Sequence, residues 1–283
     1  MQILETVSEL LAYVERGKQK GLKTGLVPTM GALHEGHLSL VRKSVLENDA
    51  TIVSLFVNPI QFNNPEDLAT YPRQPEADFA LLAREKVDVV FAPTEKEIYP
   101  EGYDRNRRFE LGPVAEVMEG KHRPGHFQGV AVVVNRLFQL CRPTRAYFGM
   151  KDFQQIAVIK AMVESEGLNV EIVPCPIVRE ESGLALSSRN QLLSDRHRKE
   201  ASLIHSTLKE SLDFAKTHTV EATRDWVTRQ LDARDDFKVE YFEIVDGKTL
   251  LPVEDWNEAK YVMGCITVYV GKVRLIDNIE YKF

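Results

Sequence analysis

At 283 residues, with 43% hydrophobic and 28% charged side chains, the chain is long enough for one large domain or two modest ones and can bury a real core. Its net charge of −6 argues against a nucleic-acid surface, which needs clustered Lys and Arg, and leaves room only for local basic patches. Cys141, Cys175 and Cys265 are odd in number and far apart, so no disulfide framework or cysteine-based metal knuckle is expected and a reducing, cytoplasmic setting fits; no segment approaches the roughly 18 apolar residues of a membrane span.

Residues 1–21 have an amphipathic helical rhythm with acidic side chains inside it, unlike the charged-then-apolar order of a signal peptide. Apolar runs then follow at 25–27, 50–57, 87–91, 145–148 and 170–173. They alternate with helical patterns at 38–47, 76–85, 127–140 and 153–166. This alternation predicts an α/β fold, a parallel sheet with helices on both faces, in which ligands bind beyond the C-terminal ends of the strands. After Pro174-Cys-Pro176 the pattern changes. Two helical stretches near 195–216 and 220–232 precede β-branched and aromatic runs at 239–245, 261–270 and 273–276, which predict a smaller α+β unit. The expected division is 1–176 and 177–283.

The most informative stretch is LVPTMGALHEGH, from Leu26 to His37. Leu26 and Val27 read as a strand end, Gly31 permits a tight turn, and Leu38, Val41, Val45 and Leu46 recur at helical spacing, so His37 is expected to open a helix. A helix N-terminus gathers unpaired N–H groups and the positive end of the dipole, which suits a phosphate. Imidazole adds a hydrogen bond or a proton where negative charge develops. Two other readings stand beside this one: a His-x-x-His metal site, which needs a third ligand that the remaining histidines do not obviously supply, or a structural histidine pair.

Elsewhere, Lys151 and Asp152 fall at a strand-to-helix junction, where lysine reaches a phosphate and aspartate a ribose; the plainer reading is a solvated lysine and a helix-capping aspartate. Ser187, Ser188 and Arg189 suit the outer oxygens of a triphosphate, though a polar loop looks the same. Gln61 and Gln155 can both donate and accept, which suits a small hydroxy acid. Asn58 reads as a turn cap, Tyr71 as a packing residue and Asp78 as a solvated helix position.

Seven blocks carry a wider likeness: PTMGALHEGH at 28–37, FVNPIQF at 56–62, YPR at 71–73, RPGHFQG at 123–129, GMKDFQQ at 149–155, LSSRN at 186–190 and RLIDN at 274–278. In these blocks and their order the chain resembles the pantoate–β-alanine ligases, a family of the HxGH-type nucleotidyltransferase superfamily. The resemblance implies a Rossmann-like first domain binding nucleotide and pantoate, with the second acting as a lid. It implies a soluble homodimer whose substrates are pantoate, β-alanine and ATP with Mg²⁺, and which needs no nucleic-acid or membrane partner.

The implied catalytic residues are His37, His34 and Lys151. ATP is expected at Met30, Gly31, Ala32, Leu33, His34, Glu35, Gly36 and His37, at Gly149, Met150, Lys151 and Asp152, at the main chain of Val178, and at Leu186, Ser187, Ser188 and Arg189. Pantoate is expected at Gln61 and Gln155, against an apolar wall from Met30, with Gln61 also near β-alanine. No protein-held metal is implied. Arg123 and His126 lie in a family block without a defined chemical role, as a loop brace or a contact to a neighbouring subunit. Two departures stand out: Met150 where the family commonly has Glu, expected to alter packing or polarity rather than activity, and Thr144 where an aspartate is common. The alternatives are another HxGH nucleotidyltransferase, a non-catalytic ATP-binding regulator, and a metal hydrolase built on His34 and His37.

Overall fold

The apolar runs at 25–27, 50–57, 87–91 and 145–148 become strands because most of their residues are buried on both faces, as the centre of a parallel sheet between helices requires, and the run at 170–173 adds a half-exposed edge strand. In a computed structural model, which describes residues 1–282, the strands are β1 (Gln2–Leu4), β2 (Thr24–Thr29), β3 (Ala50–Leu55), β4 (Val89–Phe91), β5 (Arg145–Gly149) and β6 (Glu171–Cys175). They form one six-stranded sheet in the order β1-β4-β3-β2-β5-β6, with every pairing parallel.

Alternation along each strand divides the interior in two. Leu26, Ile52, Val89, Phe91, Ala146 and Phe148 face one core with the helices Val7–Gln19, His126–Cys141 and Phe153–Ser165. Val27, Val53, Val90 and Tyr147 face the other, with Glu35–Glu47 and Pro75–Arg84. Each fully buried Val, Leu or Phe contributes roughly 1.5–3 kcal/mol of transfer free energy. The helix His126–Cys141 buries thirteen of its sixteen residues, so it lies inside the molecule instead of covering it.

Two expectations are corrected. Residues 1–21 are not wholly helical: Gln2–Leu4 pair with β4, and the helix starts at Val7 behind a Thr6/Glu9 capping box. The helical stretch at 195–216 is two helices, Asp195–Glu200 and Ser202–Ala215. At the join, the Ile204 N–H bonds the carbonyl of buried Ala201, tightening the turn.

A second, antiparallel sheet follows, β7 (Phe237–Asp246), β8 (Val262–Val270) and β9 (Val273–Tyr281), backed by Ser202–Ala215 and Val220–Asp232 over its own core. Phe283 of the expected second unit lies outside the described residues. A small apolar cluster, in which Met118 and Phe153 meet Val245, Leu250, Met263 and Cys265, joins this sheet to the first part of the chain. Among the described residues no helix is long and apolar enough to cross a membrane.

Strands β2 and β5 lie side by side at the centre of the parallel sheet. From β2 the chain proceeds outward through β3 and β4, and from β5 it proceeds outward the other way to β6. The crevice at such a reversal, beyond the C-terminal strand ends, is where open α/β sheets bind ligands.

Candidate active site

The loop after β2 turns through Gly31 and Ala32, both at positive φ (80° and 50°). For alanine that conformation is strained. It is held by Asp78, which sequence reading placed in solvent but which is only 2% exposed; its carboxylate accepts the N–H groups of Ala32 (2.9 Å) and Leu33 (2.8 Å). Burial pushes the Asp78 carboxyl up from its ordinary value, while the two N–H bonds pull it back. Nothing in sequence marked this residue, because an acid in a first helical turn is commonplace.

The helix that follows begins at Glu35, not His37. His34 is its N-cap, with Nδ1 accepting the Gly36 N–H at 3.1 Å, and His37 sits at the third position, its Nδ1 3.4 Å from the His34 N–H. The two rings lie 4.1 Å apart. Gly36 has a steric reason: a Cβ there would stand 2.9 Å from the His34 ring. Since each Nδ1 accepts, each neutral ring carries its proton on Nε2 and is a hydrogen-bond donor. Burial, then the Lys151 charge, pushes His34 down to about 4; burial, then His34 and Lys151, holds His37 well below the usual imidazole range. Both are therefore neutral donors at neutral pH.

Beyond β5 the chain makes a short turn, Met150–Asp152, before the helix Phe153–Ser165. Asp152 makes no capping bond, so the helix-capping reading is not realised; its Oδ1 lies 3.4 Å from Lys151 Nζ. Met150 packs against the larger core. The carbonyls of Met150 and Lys151 accept from Asn278 Nδ2 of β9, at 2.9 and 3.1 Å, so the C-terminal sheet braces the lysine-bearing turn.

A cavity of about 200 Å³ collects residues from both loops: Met30, His34, Gly36, His37, Gly149, Lys151, Asp152, Gln61, Gln155, Val178, Leu186, Ser187, Ser188 and Arg189. Gly31, Ala32, Leu33, Glu35 and Met150 are not among its walls. The first three form the base of the loop, and Glu35 is turned outward to pair with Arg42. Gln61 is 8% exposed, accepting from Asn58 Nδ2 (3.0 Å) and approaching Met30 Sδ (3.2 Å). Asn58 caps nothing; it is buried, receiving the Tyr99 hydroxyl at 2.7 Å and donating to the Gly129 carbonyl at 3.1 Å. A Cβ on Gly129 would lie 2.4 Å from the Ile60 carbonyl oxygen, so glycine lets the central helix press against the turn that carries Gln61.

The 186–189 segment is engaged with other groups. Ser188 Oγ donates to the Ala32 carbonyl at 3.0 Å, linking this segment to the first loop. Arg189 makes a forked pair with Asp67 (3.0 and 2.9 Å) beside the Tyr71 ring. The Val178 carbonyl accepts the Leu186 N–H at 3.0 Å and retains a second lone pair. Among the described residues, no group of three or more His, Cys, Asp or Glu gathers as a metal site.

The family profile described as pantoate-beta-alanine ligase matches residues 2–280. A pantothenate synthetase from Porphyromonas gingivalis is 54% identical over 282 residues, covering 100% of both chains, and one from Bacteroides fragilis is 53% identical, covering 100% of this chain and 99% of the relative. The crystal structure of pantothenate synthetase from Thermus thermophilus superposes with a TM-score of 0.93 at 44% identity over the whole of both chains. That of the Francisella tularensis pantoate-beta-alanine ligase, complexed with beta-gamma ATP and beta-alanine, gives 0.82 at 39% identity, covering 99% of this chain and 97% of the other. With a matching fold, full-length identity above one half and the two motif loops converging at one cavity, the chain belongs to the pantoate–β-alanine ligase family.

Proposed function

We propose that the chain joins pantoate to β-alanine in the cavity beyond β2 and β5, with ATP as co-substrate and a pantoyl adenylate between the two steps. In the first, a pantoate carboxylate oxygen bonds to the α-phosphorus of ATP as the bond to the β-phosphate oxygen breaks, and pyrophosphate leaves. In the second, the β-alanine amine bonds to the acyl carbon, the bond to the AMP oxygen breaks, and the amine gives up a proton. Adenylation is needed because a free carboxylate is a poor acyl donor.

The observation that carries this reading is the pair of neutral imidazoles at a helix N-terminus, facing the same cavity as Lys151. Donors fixed before reaction and aimed where charge develops are the largest usual contribution to such a step. In the proposed roles His37 and His34 donate to phosphate oxygens and Lys151 supplies the positive charge. Asp152 takes the ribose, the main chain at Val178 the adenine, and Ser187, Ser188 and Arg189 the outer phosphates. Gln155 and Gln61 orient pantoate against Met30. With Asp152 as the one acidic side chain lining this cavity among the described residues, the site suits Mg²⁺ carried in on the triphosphate, where it neutralises phosphate charge. A homodimer and a cytoplasmic location complete the proposal.

The test is exchange of labelled pyrophosphate into ATP with pantoate and Mg²⁺ but no β-alanine, followed by β-alanine addition. Pantoate-dependent exchange, then pantothenate and AMP, is the expected result. Ligation without exchange would overturn the adenylate route, and ATP binding with neither would identify a silent binder.

A further inference from the structure

A second cavity, about 830 Å³, opens beside the first and shares Lys151, Asp152, Gln155, Ser187 and Arg189 with it. Its far wall includes Glu119, Arg123 and His126 from the first part of the chain and Arg274 from β9. The proposed chemistry leaves Arg123 without a role, and its guanidinium makes no hydrogen bond to a carboxylate.

The Arg123 side chain is 18% exposed, and its nearest carboxylate oxygen, on Glu119, is 3.6 Å away. That carboxylate is already committed. Oε1 accepts from Tyr241 Oη (2.8 Å), Thr267 Oγ1 (3.0 Å) and Arg274 (2.7 Å), while Oε2 accepts from Arg274 (2.8 Å). Burial alone would push the Glu119 carboxyl up, but the Arg274 hydrogen bonds and charge outweigh it and bring it to about 2. Arg274 is paired with Glu240 as well, yet it is Arg274 that hydrogen-bonds Glu119, and Arg123 makes no hydrogen bond to a carboxylate.

The other neighbour of Arg123 is His126, at 3.4 Å from its Nε2. His126 Nδ1 lies 2.8 Å from the Gln61 carbonyl oxygen. A carbonyl can only accept, so Nδ1 carries the proton and Nε2 is a bare acceptor. Burial, then the Arg123 charge, pushes His126 down to about 4, so it is neutral and offers no compensating charge. Arg189 and Arg274 add like charge nearby, and Asp67, the remaining acid in range, is forked to Arg189. A largely desolvated guanidinium whose N–H groups reach no carboxylate oxygen within hydrogen-bond distance has donors to spare, and an entering carboxylate can take them.

We propose that Arg123 binds the carboxylate of β-alanine and so selects this amino acid over amines that lack the acid group. The inference rests on the reading given under Proposed function. Two carboxylates enter that reaction. Pantoate's reacts, and so belongs beside Lys151 and the two imidazoles. β-Alanine's is a spectator that survives in the product and needs a separate cation. Arg123 is joined through one imidazole to the main chain of Gln61, which places it one side chain beyond the pantoate pocket, on the side of the larger cavity. The forked guanidinium matches a carboxylate's two oxygens.

The experiment compares wild type, Arg123→Met and Arg123→Lys in three assays. These are pyrophosphate exchange without β-alanine, ligation of β-alanine, and ligation of β-alaninamide and propylamine. Loss of one charge-assisted interaction predicts a β-alanine KM about 10- to 100-fold higher in Arg123→Met, with kcat changed far less. The preference for β-alanine over its amide should shrink by a similar factor, with partial recovery in Arg123→Lys. Equal losses with acid and amide, or a rise confined to the KM of ATP or pantoate, would overturn the proposal. So would wild-type enzyme that uses β-alanine and its amide equally well, a measurement independent of whether the variants fold. Absence of exchange in wild type would instead count against the adenylate reading.

Discussion

The loop at 30–37 and the segment at 186–189 meet at one cavity, yet they are held in different ways. In the first, the groups that support the histidines belong to the protein's permanent structure: Asp78 closes the turn at Ala32 and Leu33, and backbone N–H groups occupy both Nδ1 atoms. In the second, Arg189 is forked to Asp67, an acid standing where a phosphate would be expected to compete, and that pair is roughly a quarter to a third exposed. In the proposed roles, the donors that act at the moment of bond exchange are fixed beforehand. In those proposed roles, the donors for the outer part of the nucleotide are held by an exchangeable partner. The first arrangement lowers a barrier; the second lets a ligand enter and leave.

The largest expected break in this comparison is His37→Ala. Removing one fixed donor should lower kcat by about 10²- to 10³-fold with little change in ATP binding. Steady-state kinetics with calorimetric ATP titration checks it, and near-normal turnover would remove His37 from the chemistry. Next is Asp78→Ala, which leaves two buried N–H groups unpaired in a turn with an alanine at positive φ. A loss of about 2–4 kcal/mol in urea unfolding is expected, with turnover falling in protein that remains folded. An unchanged midpoint would mean that the turn holds itself. The smallest effect, opposite in sign, belongs to Asp67→Asn. Exposed ion pairs are worth at most about 1 kcal/mol, so freeing Arg189 should lower the KM for ATP by about 2- to 5-fold, most clearly at low salt. A higher KM would make Asp67 part of the nucleotide site instead of its competitor.

Much of the fold was legible from local pattern. The apolar runs at 25–27, 50–57, 87–91, 145–148 and 170–173 all became strands of the parallel sheet; the first four are largely buried on both faces and have few other ways to hide, and the last pairs at the edge. β1 escaped notice because three residues beside a helical pattern are too few to show a period of two, and its partner β4 is far along the chain. The break at Ala201 escaped because Asp195–Glu200 is wholly polar and has no apolar period of its own to set it apart from the helix that follows.

The candidate site was legible in short blocks, in that the expected residues His34, His37, Lys151, Gln61, Gln155 and Arg189 all line one cavity. Their supports were not. Asn58 and Asp78 looked like a turn cap and a solvated acid, and Asn278 had no distinguishing mark beyond its block. Yet Asn58 fixes Gln61, Asp78 fixes the histidine loop, and Asn278 braces the lysine turn from the other sheet.

The sequence by itself determined the alternation of strands and helices, the candidate site turns after β2 and β5, and, through its blocks, the family and its chemistry. These depend on neighbours in the chain, where periodicity and turn residues act locally. The tertiary structure alone decided that both imidazoles are neutral, that Arg189 is paired with Asp67, and that Glu119 serves Arg274 more fully than Arg123. Protonation and counter-ion choice depend on burial and on charges brought close from distant positions, and no local pattern encodes either.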